Sequence, residues 1–359
     1  MALHFSTPLT ERLGCRLPVI QTAMGWVATS KLVKASTAAG AFGFLAAAVM
    51  SPEECEAEIE AIKSVGSAPF GVNVHSFQTG VDRIIDMCID HEVGAISYGR
   101  APSSKMIEKV KAKGIACVPT IGAAKHAKKA VELGADILVC QGAEGGGHTG
   151  ATPTWLLLAQ VLEMDLGVPV VACGGFKDGR GLAAALAYGA DGTAMGTRFM
   201  MTSDSPTPEE TKTAYLAADV TRIPVSVKLD GLPQRMVLNS KLESLEKASG
   251  PGLLVRGLIN GMRFRKEMGV TLPDMLKSAW TMARKSDLTL GQTLMAANAP
   301  MIIQNAMVKG HPDDGVLPSG QVAGLINDLP SCADLLASIE VEASERLNAM
   351  QAKFPTAAE

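Results

Sequence analysis

Aromatic residues make up only 4% of the 359 positions. That weakens a reading in which single-stranded nucleic acid is bound on a series of stacking rings. No block of lysine and arginine is present, and the formal net charge is -3. A polyanion therefore finds no complementary field, and a nucleic-acid partner is not expected. No apolar run reaches the ~18 residues that a membrane span requires. The opening stretch MALHFSTPLTERLG lacks the apolar centre of a secretory signal. The expectation is a cytoplasmic protein without a membrane partner. Paired cysteines are also lacking: the seven are odd in number and widely spaced, with no CxxC and no zinc-type spacing. Reduced, mostly buried thiols and no metal site are predicted.

What the sequence does contain is a repeating alternation. Apolar runs at 18–24, 42–48, 69–75, 94–100, 116–122, 136–142, 169–175 and 192–197 lack polar alternation, as strands buried on both faces do. Helix signals lie between them. Ser51-Pro52-Glu53-Glu54 reads as an N-cap, a first-turn proline and first-turn acids. Gly40, Gly114, Gly134 and Gly189 fall where helices stop. The corner Gly-Ala-Asp recurs in ELGADILV and AYGADGTA. Eight strand-helix units predict an α/β fold, a (β/α)8 barrel, over 1–204 and 316–359, with an open doubly wound sheet as the alternative. Residues 205–315 read as a smaller, Met-rich helical domain covering the substrate, and 332–350 as an amphipathic helix packed back on the barrel.

In such a barrel, chemistry sits where strands end. Gly174-Gly175 and Gly196-Thr197 close the last two strands, where bare amides can approach a phosphate, and Lys177-Asp178-Gly179 lead into the next helix. No GxGxxG follows the first strand, which disfavours a Rossmann-bound nicotinamide. FMN fits better: one phosphate for the cradle, and a ring across the barrel mouth against Ala23-Met24-Gly25. Asn73, Thr120 and Gln141 are then candidates to contact the ring edge or ribityl chain. The stretch QGAEGGGHTG after the sixth strand holds one histidine among five glycines. His148 is the candidate acid or base, since imidazole titrates near ~6.5, and Gly147 beside it is a candidate cofactor contact. Glu144 reads as structural. A barrel dehydrogenase of the IMP dehydrogenase type would instead need a nucleophilic cysteine after the sixth strand, whereas Cys140 falls inside it.

With QTAMGWVA, PFGVNV, QGAEGGGHTG, VACGGFKDGRG, GTAMGTRF and LPSGQVAG, the chain resembles the nitronate monooxygenase (2-nitropropane dioxygenase) family over nearly its whole length. The resemblance implies an FMN-binding (β/α)8 barrel with a small helical domain. It places the cofactor at Ala23, Met24, Gly25, Asn73, Thr120, Gln141, Gly174, Gly175, Gly196 and Thr197, with a further contact at Gly320-Gln321, and the base at His148. IGAAKHAKK, FKDGRGLAAALAYGA, LMAANAPM and SGQVAGLINDLPSC resemble more narrowly the actinobacterial flavoenzymes of late steroid catabolism. Those act on a hydroxylated hydrindanone acyl-CoA. Ala23-Met24-Gly25-Trp26 departs from the Pro-Met-Ala usual in nitronate oxidisers. Both resemblances imply one chemistry: proton abstraction beside a nitro group or thioester, coupled to hydride or electron transfer with the flavin, or its reverse as ene reduction. The implied partners are an acyl-CoA or a nitronate, NAD(P)H or O2 as electron partner, and a second copy of the chain in a homodimer. Lys125, Lys128 and Lys129, with Arg256, Arg263, Arg265 and Lys266, are candidates for CoA phosphates.

Overall fold

The computed structural model describes residues 3–76, 78–99, 102–248 and 299–353. Eight parallel strands close into a barrel: β1 Val19–Gln21, β2 Phe42–Leu45, β3 Phe70–Asn73, β4 Ala95–Tyr98, β5 Ala116–Ile121, β6 Leu138–Gln141, β8 Val170–Cys173 and β9 Gly192–Met195. Closure runs through the register Ile20↔Ala194 between β1 and β9. The runs lack alternation because both faces are covered. Ile20, Phe42, Val118, Val139, Val171 and Ala194 share one buried cluster with Leu9 and Leu13 of the N-terminal helix Pro8–Leu13. Val72, Ile96 and Cys117 pack outward against residues of the surrounding helices.

Local chemistry explains the turns. Ser51 and Glu54 form a reciprocal capping box that starts the helix Pro52–Lys63. The repeated Gly-Ala-Asp corner does one job twice. Gly134 and Gly189 take φ of 100° and 104° to stop a helix. Asp136 Oδ2 then accepts the Cys117 amide at 2.8 Å, and Asp191 Oδ2 accepts the Val170 amide at 2.8 Å. The helix Cys332–Gln351 packs on the helix Gly179–Tyr188. Gly179 is required there, because a Cβ would lie 2.4 Å from the Ile339 carbonyl.

The chain divides into two compact units. One holds 1–145, 150–206 and 326–359, and the other 146–149 and 207–325. Residues 316–325, expected with the barrel, group with the second unit because β12 (Leu317–Pro318) pairs antiparallel with β11 (Gln234–Val237). The second unit, read from the sequence as mainly helical, carries strands as well. β10 (Val225–Ser226) and β7 (Gly147–His148) also pair with β11. Its helices Ser240–Glu246 and Ala299–Met307 contribute to a core that includes Leu229, Met236, Leu242, Ile302 and Val316. Among the described residues, no helix is long and apolar enough to cross a membrane.

Candidate active site

Parallel strands bring their C-terminal ends to one mouth. Asn73 and Gln141 end β3 and β6, and Thr120 is the penultimate residue of β5. Ala23-Met24-Gly25 follow β1, Gly174-Gly175 follow β8, and Gly196-Thr197 follow β9. These candidates therefore gather at one end of the barrel.

Gly174 and Gly175 have φ of 103° and 87°, in the left-handed region. Among the described residues, the amides of Gly174, Gly175 and Gly196 donate to no backbone carbonyl. A Cβ on Gly175 would meet only the Glu144 side chain, at 3.7 Å. Amides at the ends of two paired strands that bond no backbone carbonyl fit an anion, such as the phosphate of a flavin nucleotide, although the Gly174 amide also faces the Cys173 sulfur. The helix Gly179–Tyr188 follows β8. Its first amides already serve two carboxylates: Gly181 donates to Asp178 at 3.1 Å, and Gly179 to Glu342 at 2.8 Å. Lys177 and Arg180 pair with Asp178 at 3.3 and 2.7 Å. Burial opposes the charge on Asp178, but Arg180, the Gly181 amide and Lys177 outweigh it and hold the carboxyl below its usual range.

Around the mouth, Asn73 Nδ2 donates to Ser97 O at 3.1 Å and Ser97 Oγ at 3.0 Å, which fixes the amide against β4. Gln21, fully buried, donates to Thr22 O at 2.6 Å and Phe44 O at 3.3 Å. It ties the exit of β1 to β2 beneath the Ala23-Met24-Gly25 turn. Trp26, next in that turn, has φ of 63°. A bulky residue there costs about 1–2 kcal/mol of backbone strain.

The glycines after β6 are explained by close approach. A Cβ on Gly142 would lie 2.2 Å from Thr154 Oγ1, and one on Gly146 would lie 2.5 Å from the Gly320 amide. Glu144 accepts from Thr154 N at 2.9 Å and Thr154 Oγ1 at 2.7 Å, at the start of the helix Thr154–Leu162. Its carboxylate is thus engaged in fixing the loop. Cys140 is buried within β6, and burial pushes its thiol up to about 12, so it offers no thiolate nucleophile at neutral pH. All seven cysteines are buried and unbridged. His75 is exposed beyond β3, where its amide donates to Gln78 Oε1 at 2.7 Å.

His148 lies in the second unit, in β7, directly opposite Gln234 of β11. Its Nε2 is 2.8 Å from Asp230 Oδ2. The imidazole is 60% exposed and the carboxylate 9%. Asp230 also accepts from the Leu232 amide at 3.0 Å and from Gln234 Nε2 at 2.6 Å. Burial raises the cost of its charge, but His148 and these two donors more than compensate, and the carboxyl is held below its usual range. Gly147 has φ of 63°. Gly320 lies against Gly146, and Gln321 opens the 3-10 turn Gln321–Leu325. Sequence reasoning missed Asp230 and Gln234. Their only local signal is the turn chemistry of KLDGLPQ, where Asp230 bonds the amide two residues on. Arg256, Arg263, Arg265 and Lys266 lie outside the described residues. Among the described residues, no group of metal-ligating side chains could hold an ion.

Comparison with known proteins agrees with the barrel fold. The nitronate monooxygenase family matches residues 6–82 and 75–342. A (3aS,4S,5R,7aS)-5-hydroxy-7a-methyl-1-oxo-octahydro-1H-indene-4-carboxyl-CoA dehydrogenase of Mycobacterium tuberculosis is 44% identical, over 98% of this chain and 99% of that protein. The dehydrogenase of the same description from Rhodococcus jostii is 45% identical, over 96% and 98%. The structure of FabK from Thermotoga maritima superposes with a TM-score of 0.78 at 24% identity, over 97% of this chain and 99% of that one, which shows a shared fold. This chain belongs to the nitronate monooxygenase family and is a flavin-dependent oxidoreductase of the (β/α)8-barrel type.

Proposed function

We propose that this enzyme binds FMN and acts on a carbon acid, desaturating or reducing a ring-derived acyl-CoA of steroid catabolism. The observation that carries the reading is an exposed imidazole braced by a buried carboxylate, on the loop that leaves β6. The thioester substrate is supported by the two relatives described as carboxyl-CoA dehydrogenases. When bound, the flavin supplies a two-electron acceptor or donor. His148 takes the proton from the carbon beside the thioester in the oxidative direction and returns one there in the reductive direction. Gly174, Gly175, Gly196 and Thr197 hold the phosphate by their amides. Ala23, Met24, Gly25, Asn73, Thr120, Gln141, Gly147, Gly320 and Gln321 are assigned to the rest of the cofactor. The buried, unpaired thiols support a cytoplasmic setting.

The family description favours a second reading, oxidation of alkyl nitronates with O2 to a carbonyl compound and nitrite. A third is an NAD(P)H-dependent enoyl or quinone reductase. Anaerobic mixing separates the three. The purified protein is expected to be yellow, to release FMN on denaturation, and to bleach with a saturated ring acyl-CoA or reoxidise with its unsaturated counterpart. Bleaching by nitronates alone, or by NAD(P)H alone, overturns the thioester reading.

Lys125, Lys128 and Lys129 are exposed beyond β5, at the turn Ala124–His126 and the helix after it. Exposed charge pairs contribute about 0.2–1 kcal/mol each. Lys125→Glu with Lys128→Glu is therefore expected to raise KM for an acyl-CoA by roughly 3- to 10-fold. KM for a nitronate should stay unchanged. Equal KM values for the acyl-CoA would remove these lysines from CoA recognition.

A further inference from the structure

We propose that Asp230 is a positioning residue for His148: it accepts the Nε2 proton, fixes the ring tautomer, and makes Nδ1 the atom that takes and returns the substrate proton. This rests on reading His148 as the acid–base group. A neutral imidazole carries one N–H donor and one acceptor nitrogen. An ionised carboxylate only accepts, so the 2.8 Å contact with Asp230 Oδ2 requires the proton on Nε2 and leaves the basic lone pair on Nδ1. The carboxylate is itself held in place. The Leu232 amide binds Oδ1 at 3.0 Å, and Gln234 Nε2 binds Oδ2 at 2.6 Å. The sheet then sets the register. Gln234 stands opposite His148, and Thr149 N donates to Pro233 O at 3.2 Å, so the turn bearing Asp230 and the strand bearing His148 form one hydrogen-bonded piece.

The burial difference gives the pair its direction. The Asp230 side chain is 9% exposed and is braced from three sides, whereas the imidazole is 60% exposed. The exposed partner is the one that can reach a ligand, and the buried partner can act only through it. When Nδ1 takes a proton, the ring becomes a cation beside a carboxylate that stays ionised. The charge created in the step is then balanced by a group already in place.

The test uses the full-length holoenzyme, with Asp230→Asn, Asp230→Ala, Asp230→Glu and His148→Ala. The rate of anaerobic flavin bleaching by substrate is measured with flavin content and thermal midpoint. The His148 ring nitrogens are read by 15N NMR in histidine-labelled protein. The neutral ring of the wild type is expected to carry its proton on Nε2. Asp230→Ala is expected to show mixed tautomers. Both Asp230→Asn and Asp230→Ala should lose on the order of 10²-fold in bleaching rate. Asp230→Glu should recover part of that loss. A wild-type ring protonated on Nδ1 overturns the inference, and this reading needs no variant to fold. So does an Asp230→Asn rate within twofold of wild type. If His148→Ala is inactive in that case, only the role of Asp230 falls. If His148→Ala is also fully active, the acid–base reading of His148 falls first.

Discussion

Replacing His148 by Ala is expected to slow turnover by roughly 10²- to 10⁴-fold, the range for a positioned proton-transfer group. The bound flavin is expected to remain. The imidazole is 60% exposed, so its removal leaves no cavity in the core. The proposed phosphate cradle is built from amides at the ends of β8 and β9, which the substitution does not touch. The substitution removes the hydrogen bond to Asp230, whose carboxylate keeps the Leu232 amide and Gln234. That costs about 1–3 kcal/mol at most. Stopped-flow bleaching under anaerobic conditions checks the rate, and the flavin-to-protein absorbance ratio checks binding. His311→Ala, at another exposed histidine, is the control and should be neutral. A His148→Ala enzyme within a few-fold of wild type would return the residue to a structural role.

The barrel was legible because its strands obey a local rule. A segment covered on both faces is apolar throughout, and a helix that must turn sharply into a strand ends on glycine. The runs at 42–48 and 116–122 contain β2 and β5 whole, overshooting by no more than three residues. Glycines at 134 and 189 mark left-handed stops. The ends of strands are then automatically the mouth of the site, which is how Asn73, Gln141 and Gly174 could be proposed from spacing alone. The second unit obeys no such rule. β7, β10 and β12 are two residues long, too short to show a period. They are strands only because β11 supplies partners. The contact between His148 and Asp230 spans 82 positions and depends on that pairing. Glu342 reaches Gly179 across 163 positions. Nothing near Lys177-Asp178-Gly179 announces that a distant carboxylate occupies the start of that helix.

Gly175→Val separates two properties that a glycine can hold at once. At φ of 87° a β-branched residue is strained, and the apo-protein should lose about 1–3 kcal/mol and melt a few degrees lower. That penalty is paid with or without ligand. The second effect appears only with ligand. The protein leaves open space around the added Cβ, since the nearest atom is Glu144 Cβ at 3.7 Å. The isopropyl group therefore enters the approach to the Gly175 amide rather than the core. Losing two hydrogen bonds to an anion, at about 1.5–3 kcal/mol each, weakens FMN binding by at least about 10²-fold. Riboflavin, which has the same ring and no phosphate, isolates this effect. Wild-type apo-protein should bind FMN far more tightly than riboflavin in a fluorescence titration. In Gly175→Val the two affinities should converge, with riboflavin nearly unchanged. Gly175→Ala should show most of the strain and part of the obstruction. If the variant melts lower but keeps the full preference for FMN, the phosphate is held elsewhere on the barrel rim.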